Sequence, residues 1–258
     1  MSTDNQNTFN KENLDLYLKE LGKEYRKLVG KEMPTEIILI GGAAILANYG
    51  FREMTTDVDA VIKAASSMKD VINKVGDKFN LPNGWLNADF MKTASYTPKL
   101  SAYSVHYKEF SNVLQVRTIS AEYLIAMKLK AGRKYKNDLS DIVGILAEHE
   151  KSGNPITLEM IITAVTNLYG SWDKLSPDSR DFITNTMEQG NFEQLYKAVS
   201  AEEKKSKETL LEFQQNYPGV TTTENADSIL NNLKQKQSSK NAILNKLKKS
   251  RSSKDLDR

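Results

Sequence analysis

The chain contains no cysteine, only two histidines, and no apolar run long enough to span a bilayer. The absence of cysteine excludes a disulfide framework and thiolate metal sites, and two histidines argue against a histidine-rich metal site. The polar segment 1–15 also lacks the apolar stretch of a secretory signal. We therefore expect a cytoplasmic protein with no membrane partner.

Charge of neither sign is in large excess. Among 258 residues, 36 Lys and Arg stand against 33 Asp and Glu, a net charge of +3. A pI near 8.7 permits a nucleic-acid partner without arguing for one. The hydrophobic fraction of 39% is ordinary for a globular protein, and the length suffices for one large domain or two modest ones.

The spacing of apolar residues predicts an α/β region followed by helices. Helical spacing recurs in several segments, whereas isoleucine-rich or alternating segments favour strands. We predict strands at 36–40, 56–62, 103–109 and 112–119. We predict helices at 11–30, 43–49, 67–79, 120–133, from 137 onwards, and at 157–169, 178–188 and 192–215.

Composition divides the chain into four parts. Residues 1–10 are predicted to be disordered, and residues 11–150 to form an α/β domain. The segment Gly153–Pro155 is the clearest break, after which 151–220 is predicted to be helical. Residues 221–258 are rich in Lys, Asn, Gln and Ser, which predicts a basic, partly disordered tail.

Asp57 and Asp59 form a pair of carboxylates in the second predicted strand. Side chains two residues apart in a strand point to the same side, so the two carboxylates project together while Val58 turns into the core. Two like charges this close are unfavourable unless a cation lies between them, and Mg²⁺ or Mn²⁺ takes carboxylate and phosphate oxygens. The alternative is that the strand end carries two solvated acids.

Gly41-Gly42 lies between a predicted strand and a predicted helix. Glycine permits positive φ and the close approach of a ligand, and amides at the start of a helix bind phosphate oxygens. A tight β–α turn without a ligand is the alternative. The nearby carboxylates favour a triphosphate held by the turn, with its metal held by Asp57 and Asp59.

These motifs together resemble those of the nucleotidyltransferase superfamily that includes DNA polymerase beta. The signature of that superfamily is a Gly-Gly or Gly-Ser turn, a short helix, and a strand with D-x-D or D-x-E. Here these are Gly41, Gly42, Asp57 and Asp59, with Arg52 and Thr55-Thr56 before the aspartates. The resemblance implies a nucleotidyltransferase domain at 11–150 with a mixed sheet flanked by helices, followed by an all-helical C-terminal region.

A second block is similar to small bacterial nucleotidyltransferases related to the AbiEii-type toxins. It is ISAEYLIAMKLKAGRKYKNDLSDIVGIL at 119–146, in which K-x-x-A-x-R precedes a helix opening K-x-D-x-x-D-I. Lys128 lies on the apolar side of its predicted helix, where a lysine either snorkels to solvent or points into a cleft toward phosphate. Asp138 opens the next helix, where a carboxylate also favours the helix dipole. Arg133 either pairs with an acid or contacts nucleotide.

The resemblance implies two sets of site residues. The catalytic set is Asp57, Asp59, Lys128 and Asp138, of which Asp57 and Asp59 also bind the metal. The nucleotide-binding set is Gly41, Gly42, Arg52, Thr56 and Arg133.

Two features depart from the superfamily pattern. The second turn position is often a serine that contacts a phosphate, but Gly42 has no hydroxyl. Many members carry a third carboxylate on a later strand, and we predict Val113–Arg117 as the corresponding stretch, which offers Gln115 instead. Asp89 and Glu109 are the other candidates. Without a third acid the general base is unassigned, and a protein that only binds its ligand stays among the alternatives.

The resemblance implies a metal-dependent enzyme that moves a nucleoside monophosphate from an NTP to an acceptor. Toxin-type relatives modify RNA, often tRNA, so we expect an RNA acceptor and, for a toxin-antitoxin or phage-defence role, a cognate antitoxin partner. The alternatives are a small-molecule (antibiotic) or protein nucleotidyltransferase, and a catalytically silent protein that binds nucleotide or a partner. The basic residues of the tail either neutralise RNA phosphates or are simply solvated: Lys234, Lys236, Lys240, Lys246, Lys248, Lys249 and Arg251.

Overall fold

The computed structural model describes residues 8–63, 65–222 and 225–236. It has a mixed five-stranded sheet flanked by helices and followed by a helical C-terminal region, which confirms the predicted fold class. The strands are β1 (Thr35–Leu39), β2 (Val58–Ile62), β3 (Leu86–Asn87), β4 (Ser104–Phe110) and β5 (Leu114–Ile119). The helices are α1 (Lys11–Val29), α2 (Gly41–Asn48), α3 (Ala65–Phe79), α4 (Ala121–Ala131), α5 (Asp138–Lys151), α6 (Leu158–Tyr169), α7 (Pro177–Gln189) and α8 (Phe192–Asn216).

The sheet has the order β3-β2-β1-β5-β4. β1 runs antiparallel to β2 and parallel to β5, and β2 runs parallel to β3. Leu39 pairs with Ala60, and the Ile40 amide donates to the Asp59 carbonyl at 2.9 Å. This antiparallel pairing places the carboxyl end of β1 beside the amino end of β2, at the edge of the sheet where these strand ends lie.

The two strands that meet there, β1 and β2, differ in which of their side chains are buried. Ile37, Ile38 and Leu39 of β1 are fully buried, as expected for a central strand that is covered on both faces. In β2, Val58 and Ala60 are buried while Asp59 between them is half-buried. The alternation in β2 therefore presents Asp59 on the face opposite the buried residues.

Helices α1 and α3 pack together, as their apolar stripes predict. Leu14, Leu18, Leu21 and Tyr25 of α1 are all buried. The predicted inward residues of α3 are buried as well: Met68, Val71, Ile72 and Val75. Across the described residues no helix has both the length and the apolar character needed to cross a membrane.

Phe9 lies in the segment that the sequence predicts to be disordered, residues 1–10. Residues 1–7 lie outside the described part of the chain, but Phe9 is buried. It exchanges two backbone hydrogen bonds with Thr55, Phe9 N to Thr55 O at 2.7 Å and Thr55 N to Phe9 O at 2.8 Å. The prediction of disorder is therefore wrong at Phe9, because an aromatic side chain and a β-bridge anchor it.

The chain forms two compact units. Unit 1 comprises residues 1–132 and 140–196 and contains the sheet. Unit 2 comprises residues 133–139 and 197–258. A small apolar cluster of unit 2 is formed by Leu210, Ala226 and Leu230. Residues 226–236 are helical, and the tail beyond 236 lies outside the described residues.

Candidate active site

The glycine turn begins α2 at the edge of the sheet where β1 ends. Gly41 has a φ of +57°, a left-handed conformation that disfavours any residue with a Cβ. The preceding residue, Ile40, provides no side-chain cap for α2, and the first turn of α2 contains no acidic residue. Its first amides are therefore suited to bind an anion.

At Gly42 the constraint is the space beside the backbone and not its conformation. A Cβ added to Gly42 would lie 2.6 Å from Thr55 Oγ1 and 2.9 Å from Arg52 Nη2. A serine at this position, as in many members of the superfamily, would therefore displace one of these two side chains. A hydroxyl and a guanidinium from the loop before β2 thus pack against Gly42.

The two aspartates lie at the start of β2. Asp57 is exposed and directly precedes the strand, and Asp59 is half-buried within it. The Thr55 hydroxyl donates to Asp57 Oδ1 at 3.3 Å, whereas the nucleotide-binding candidate Thr56 is exposed. Thr55 is itself buried and anchored by Phe9. The site therefore includes a threonine and an N-terminal anchor that sequence reasoning did not assign.

The two carboxylates fit a magnesium or manganese ion whose remaining ligands are phosphate oxygens and water. Within the described residues, no group of three or more His, Cys, Asp or Glu could hold a metal ion. A nucleotide-bound metal with Asp57 and Asp59 as its protein ligands stays a prediction.

The stretch Val113–Arg117 does not supply a third position beside the aspartates. β5 pairs with β1 rather than with β2, and Gln115 lies opposite Glu36 near the start of β1, away from the glycine turn. Glu109 lies further out, opposite Gln115 on β4. The assignment of Val113–Arg117 as the strand that corresponds to the third-carboxylate strand of the superfamily stays a prediction, and Gln115 on it lies away from the glycine turn.

The strand beside β2 is instead β3, a two-residue strand that the sequence pattern did not reveal. Asn87 of β3 lies opposite Asp59. The Asn87 Oδ1 atom accepts a hydrogen bond from the Asp89 amide at 2.8 Å. The Asp89 carboxylate is exposed and pairs with Lys92 at 2.7 Å. The residue of the neighbouring strand that lies opposite Asp59 therefore carries an amide rather than an acid.

A buried cluster of charges joins three segments of unit 1. Asp141 Oδ2 lies 2.6 Å from Arg52 Nη1 and 2.8 Å from Lys128 Nζ. The Asp141 side chain is 3% exposed, that of Lys128 is 8% exposed, and that of Arg52 is 14% exposed. Lys128 is therefore turned inward rather than toward solvent, and its contact with phosphate stays a prediction. Asp141 was not assigned from the sequence, although it is the second aspartate of the motif K-x-D-x-x-D-I.

Arg133 and Asp138 both belong to unit 2 and bind each other. Arg133 Nε lies 2.8 Å from Asp138 Oδ2, and Arg133 Nη2 lies 3.2 Å from Asp138 Oδ1, which is a bidentate pair. Asp138 is fully buried. The structure thus shows Arg133 paired with an acid, and an active-site role for either residue stays a prediction.

A model of the family described as "Nucleotidyltransferase of unknown function (DUF6036)" matches residues 17–174. The match spans more than half of the chain, so the protein belongs to this nucleotidyltransferase family. No curated protein and no solved structure matches the chain. The superfamily inferred from the glycine turn and the paired aspartates is thereby supported, and the likeness to AbiEii-type toxins stays a prediction.

Proposed function

We propose that the protein transfers a nucleoside monophosphate from an NTP to a hydroxyl group of an RNA, with tRNA as the expected kind. The observation that carries this proposal is the pairing of the Gly41-Gly42 turn with the two aspartates. The hydrogen bond from Ile40 to Asp59 joins them at one sheet edge. Membership in a nucleotidyltransferase family supports the reaction class.

In the proposed reaction the acceptor oxygen bonds to the α-phosphorus, and the bond from that phosphorus to the bridging oxygen breaks. Pyrophosphate leaves, and the proton of the acceptor hydroxyl passes to water. Asp57 and Asp59 would hold Mg²⁺ or Mn²⁺, and the bound ion would supply positive charge to stabilise the attacking and leaving oxygens. The amides at the start of α2 bind phosphate oxygens of the NTP.

Arg52 and Lys128 provide positive charge for the phosphates in this proposal. The Arg52 guanidinium packs directly against Gly42. Lys128 is held beside Arg52 by their shared partner, Asp141. Fixed cations in a site with little solvent stabilise the charge that develops on the leaving pyrophosphate.

The distribution of charge along the chain supports an RNA acceptor. Unit 2 contains 16 Lys and Arg residues and nine Asp and Glu residues, a net charge of +7, although the whole chain carries only +3. Unit 1 is consequently acidic overall. A basic segment attached to a neutral or acidic catalytic domain is typical of proteins that attract nucleic acid electrostatically.

Labelled nucleotides test the proposal. The protein is incubated with each α-labelled NTP, Mg²⁺, and either total RNA or a protein extract. We expect label on RNA, and we expect Asp57→Asn with Asp59→Asn to lower labelling by at least roughly 100- to 1000-fold, because electrostatic stabilisation of the transition state is lost. The matched control is Asp70→Asn with Asp77→Asn, which replaces two exposed aspartates of α3. Label on protein, or equal activity of the two double variants, would contradict the proposal.

A catalytically silent nucleotide-binding protein is the second candidate. It is favoured by the absence of a three-acid cluster in the described part of the chain. Such a protein would bind NTP with Mg²⁺ but leave every RNA, protein and small-molecule acceptor unlabelled. Binding of a non-hydrolysable NTP, measured by calorimetry beside the labelling reaction, separates the two candidates.

We further propose that the protein acts as a toxin whose partner is a cognate antitoxin. This role rests on the similarity of residues 119–146 to AbiEii-type toxins. Induced expression in bacteria should then arrest growth, and the Asp57→Asn and Asp59→Asn double variant should not. Growth that is equal for the wild type and the double variant would remove the toxin role while leaving the transfer reaction in place.

A further inference from the structure

We infer that Asp141 is a positioning residue that sets the Arg52 guanidinium and the Lys128 ammonium side by side for the phosphates of the substrate. This inference rests on the proposed function. One carboxylate oxygen, Asp141 Oδ2, binds both cations, Arg52 Nη1 at 2.6 Å and Lys128 Nζ at 2.8 Å. The three side chains come from the loop after α2, from α4 and from α5.

Arg52 and Lys128 are two cations that would repel each other without a carboxylate between them. Like charges repel each other strongly in a buried environment. A carboxylate between them offsets this repulsion and allows the two cations to lie close together. Asp141 is almost completely buried, so its interaction with both cations is little screened by solvent. It therefore holds both cationic groups next to one oxygen atom.

The direction of the Arg52 side chain ties this cluster to the glycine turn. Arg52 Nη1 binds Asp141, whereas Arg52 Nη2 lies on the side of Gly42. The Arg52 Nε atom donates to the Met54 carbonyl at 3.1 Å. A guanidinium with bonds at Nε and Nη1 is fixed in its plane, and its remaining edge lies at the start of α2.

Positioning and simple charge neutralisation predict opposite effects of Asp141→Asn. The substitution removes a negative charge from the site, so charge alone predicts tighter binding of a polyphosphate. If Asp141 instead orients the two cations, its loss separates them and weakens binding. The sign of the change therefore distinguishes the two roles.

The experiment measures binding of inorganic tripolyphosphate with Mg²⁺, together with KM and kcat for the NTP. We expect Asp141→Asn to raise the Kd for tripolyphosphate and the KM for NTP by about 10- to 100-fold, the usual cost of misplacing a supporting contact. Asp173→Asn is the matched control, since Asp173 also pairs with an arginine, Arg180, but is exposed. A purely structural role would lower the folded fraction and hence kcat, with KM and Kd unchanged.

Arg52→Lys provides a second variant that keeps all charges. It removes the second cationic nitrogen that faces Gly42, so we expect a weaker tripolyphosphate complex, and Arg180→Lys is its control. Unchanged or tighter binding by Asp141→Asn and Arg52→Lys would overturn the positioning role. A wild-type protein that binds tripolyphosphate in an Asp141-dependent way but transfers no nucleotide would overturn the proposed function and retain this inference.

Discussion

At the scale of single residues, the two glycines of the turn meet two separate requirements. Gly41 needs a backbone conformation with positive φ, and a Cβ there would meet no neighbouring atom. Gly42 has an ordinary φ but no room for a Cβ, because Thr55 and Arg52 fill the space. The sequence motif treats the two positions as one signal, whereas their substitution should affect the protein differently.

Gly42→Ser tests the space requirement. The added side chain should displace Arg52 or Thr55 from the turn, and we expect kcat/KM for nucleotide transfer to fall by about 10- to 100-fold, since small misplacements of site groups have effects of this size. The measurement is steady-state kinetics on the folded protein. Gly50→Ser is the control, because nothing lies within 4 Å of a Cβ at Gly50 and its φ is not positive. Undiminished activity of Gly42→Ser would show that Arg52 and Thr55 are not needed at the turn.

At this scale the candidate site could be predicted in part from the sequence. The Gly-Gly turn and the aspartate pair are each visible as local motifs, but their juxtaposition depends on the antiparallel pairing of β2 with β1, which no local pattern specifies. Asp138 and Asp141 are three residues apart in one motif, a spacing that gives them similar helical faces. Sequence periodicity therefore could not decide that Asp141 is the partner of Lys128. Likewise it could not show that Thr55 is buried and bonded to Asp57 while Thr56 is exposed.

At the scale of elements, every long helix and strand predicted from periodicity is present with small shifts at its ends. β3 was missed because two residues are too few to show alternation. The place of β5 between β1 and β4 could not be predicted, because the partner of a strand depends on long-range packing, which leaves no local pattern. The short strand β3 and the partner of β5 are therefore visible only in the tertiary structure.

Two polar links between α1 and α3 carry a pH dependence. Glu20 pairs with Lys78 at 2.5 Å, and Glu24 pairs with Lys74 and Lys27. Hydrogen bonds from Lys27 and Lys74 lower the pKa of the Glu24 carboxyl from 4.5 to about 2. Because the pKa is lower in the folded state, this carboxylate stabilises the fold fully above about pH 5, and the contribution disappears as pH falls toward 2.

Glu24→Gln should therefore lower the free energy of unfolding at pH 7 and make it less dependent on pH between 5 and 2. Urea unfolding at several pH values measures both effects. The control is Glu32→Gln, because Glu32 is exposed in the loop after α1. An equally steep acid dependence in Glu24→Gln and the wild type would show that other carboxylates determine the acid sensitivity.

At the scale of the whole molecule, the near-neutral net charge conceals a strong asymmetry between the two units. Unit 2 has a net charge of +7, while unit 1 has 20 Lys and Arg residues and 24 Asp and Glu residues, a net charge of −4. Total composition could not reveal this difference, because the opposite charges of the two units largely cancel. The attraction of an RNA acceptor should therefore depend on where the positive charges are placed.

Two triple variants with the same change in net charge test this placement. Lys248→Gln, Lys249→Gln and Arg251→Gln remove three charges from unit 2, and Lys11→Gln, Lys19→Gln and Lys31→Gln remove three exposed charges from unit 1. We measure RNA binding at several salt concentrations. The unit 2 variant should weaken binding and reduce the slope of log K against log salt by about 2 to 3, since each phosphate contact contributes roughly 0.7 to 0.9. The unit 1 variant should keep the wild-type slope. Equal slopes for both variants would show that net charge alone, rather than the basic unit, attracts the RNA.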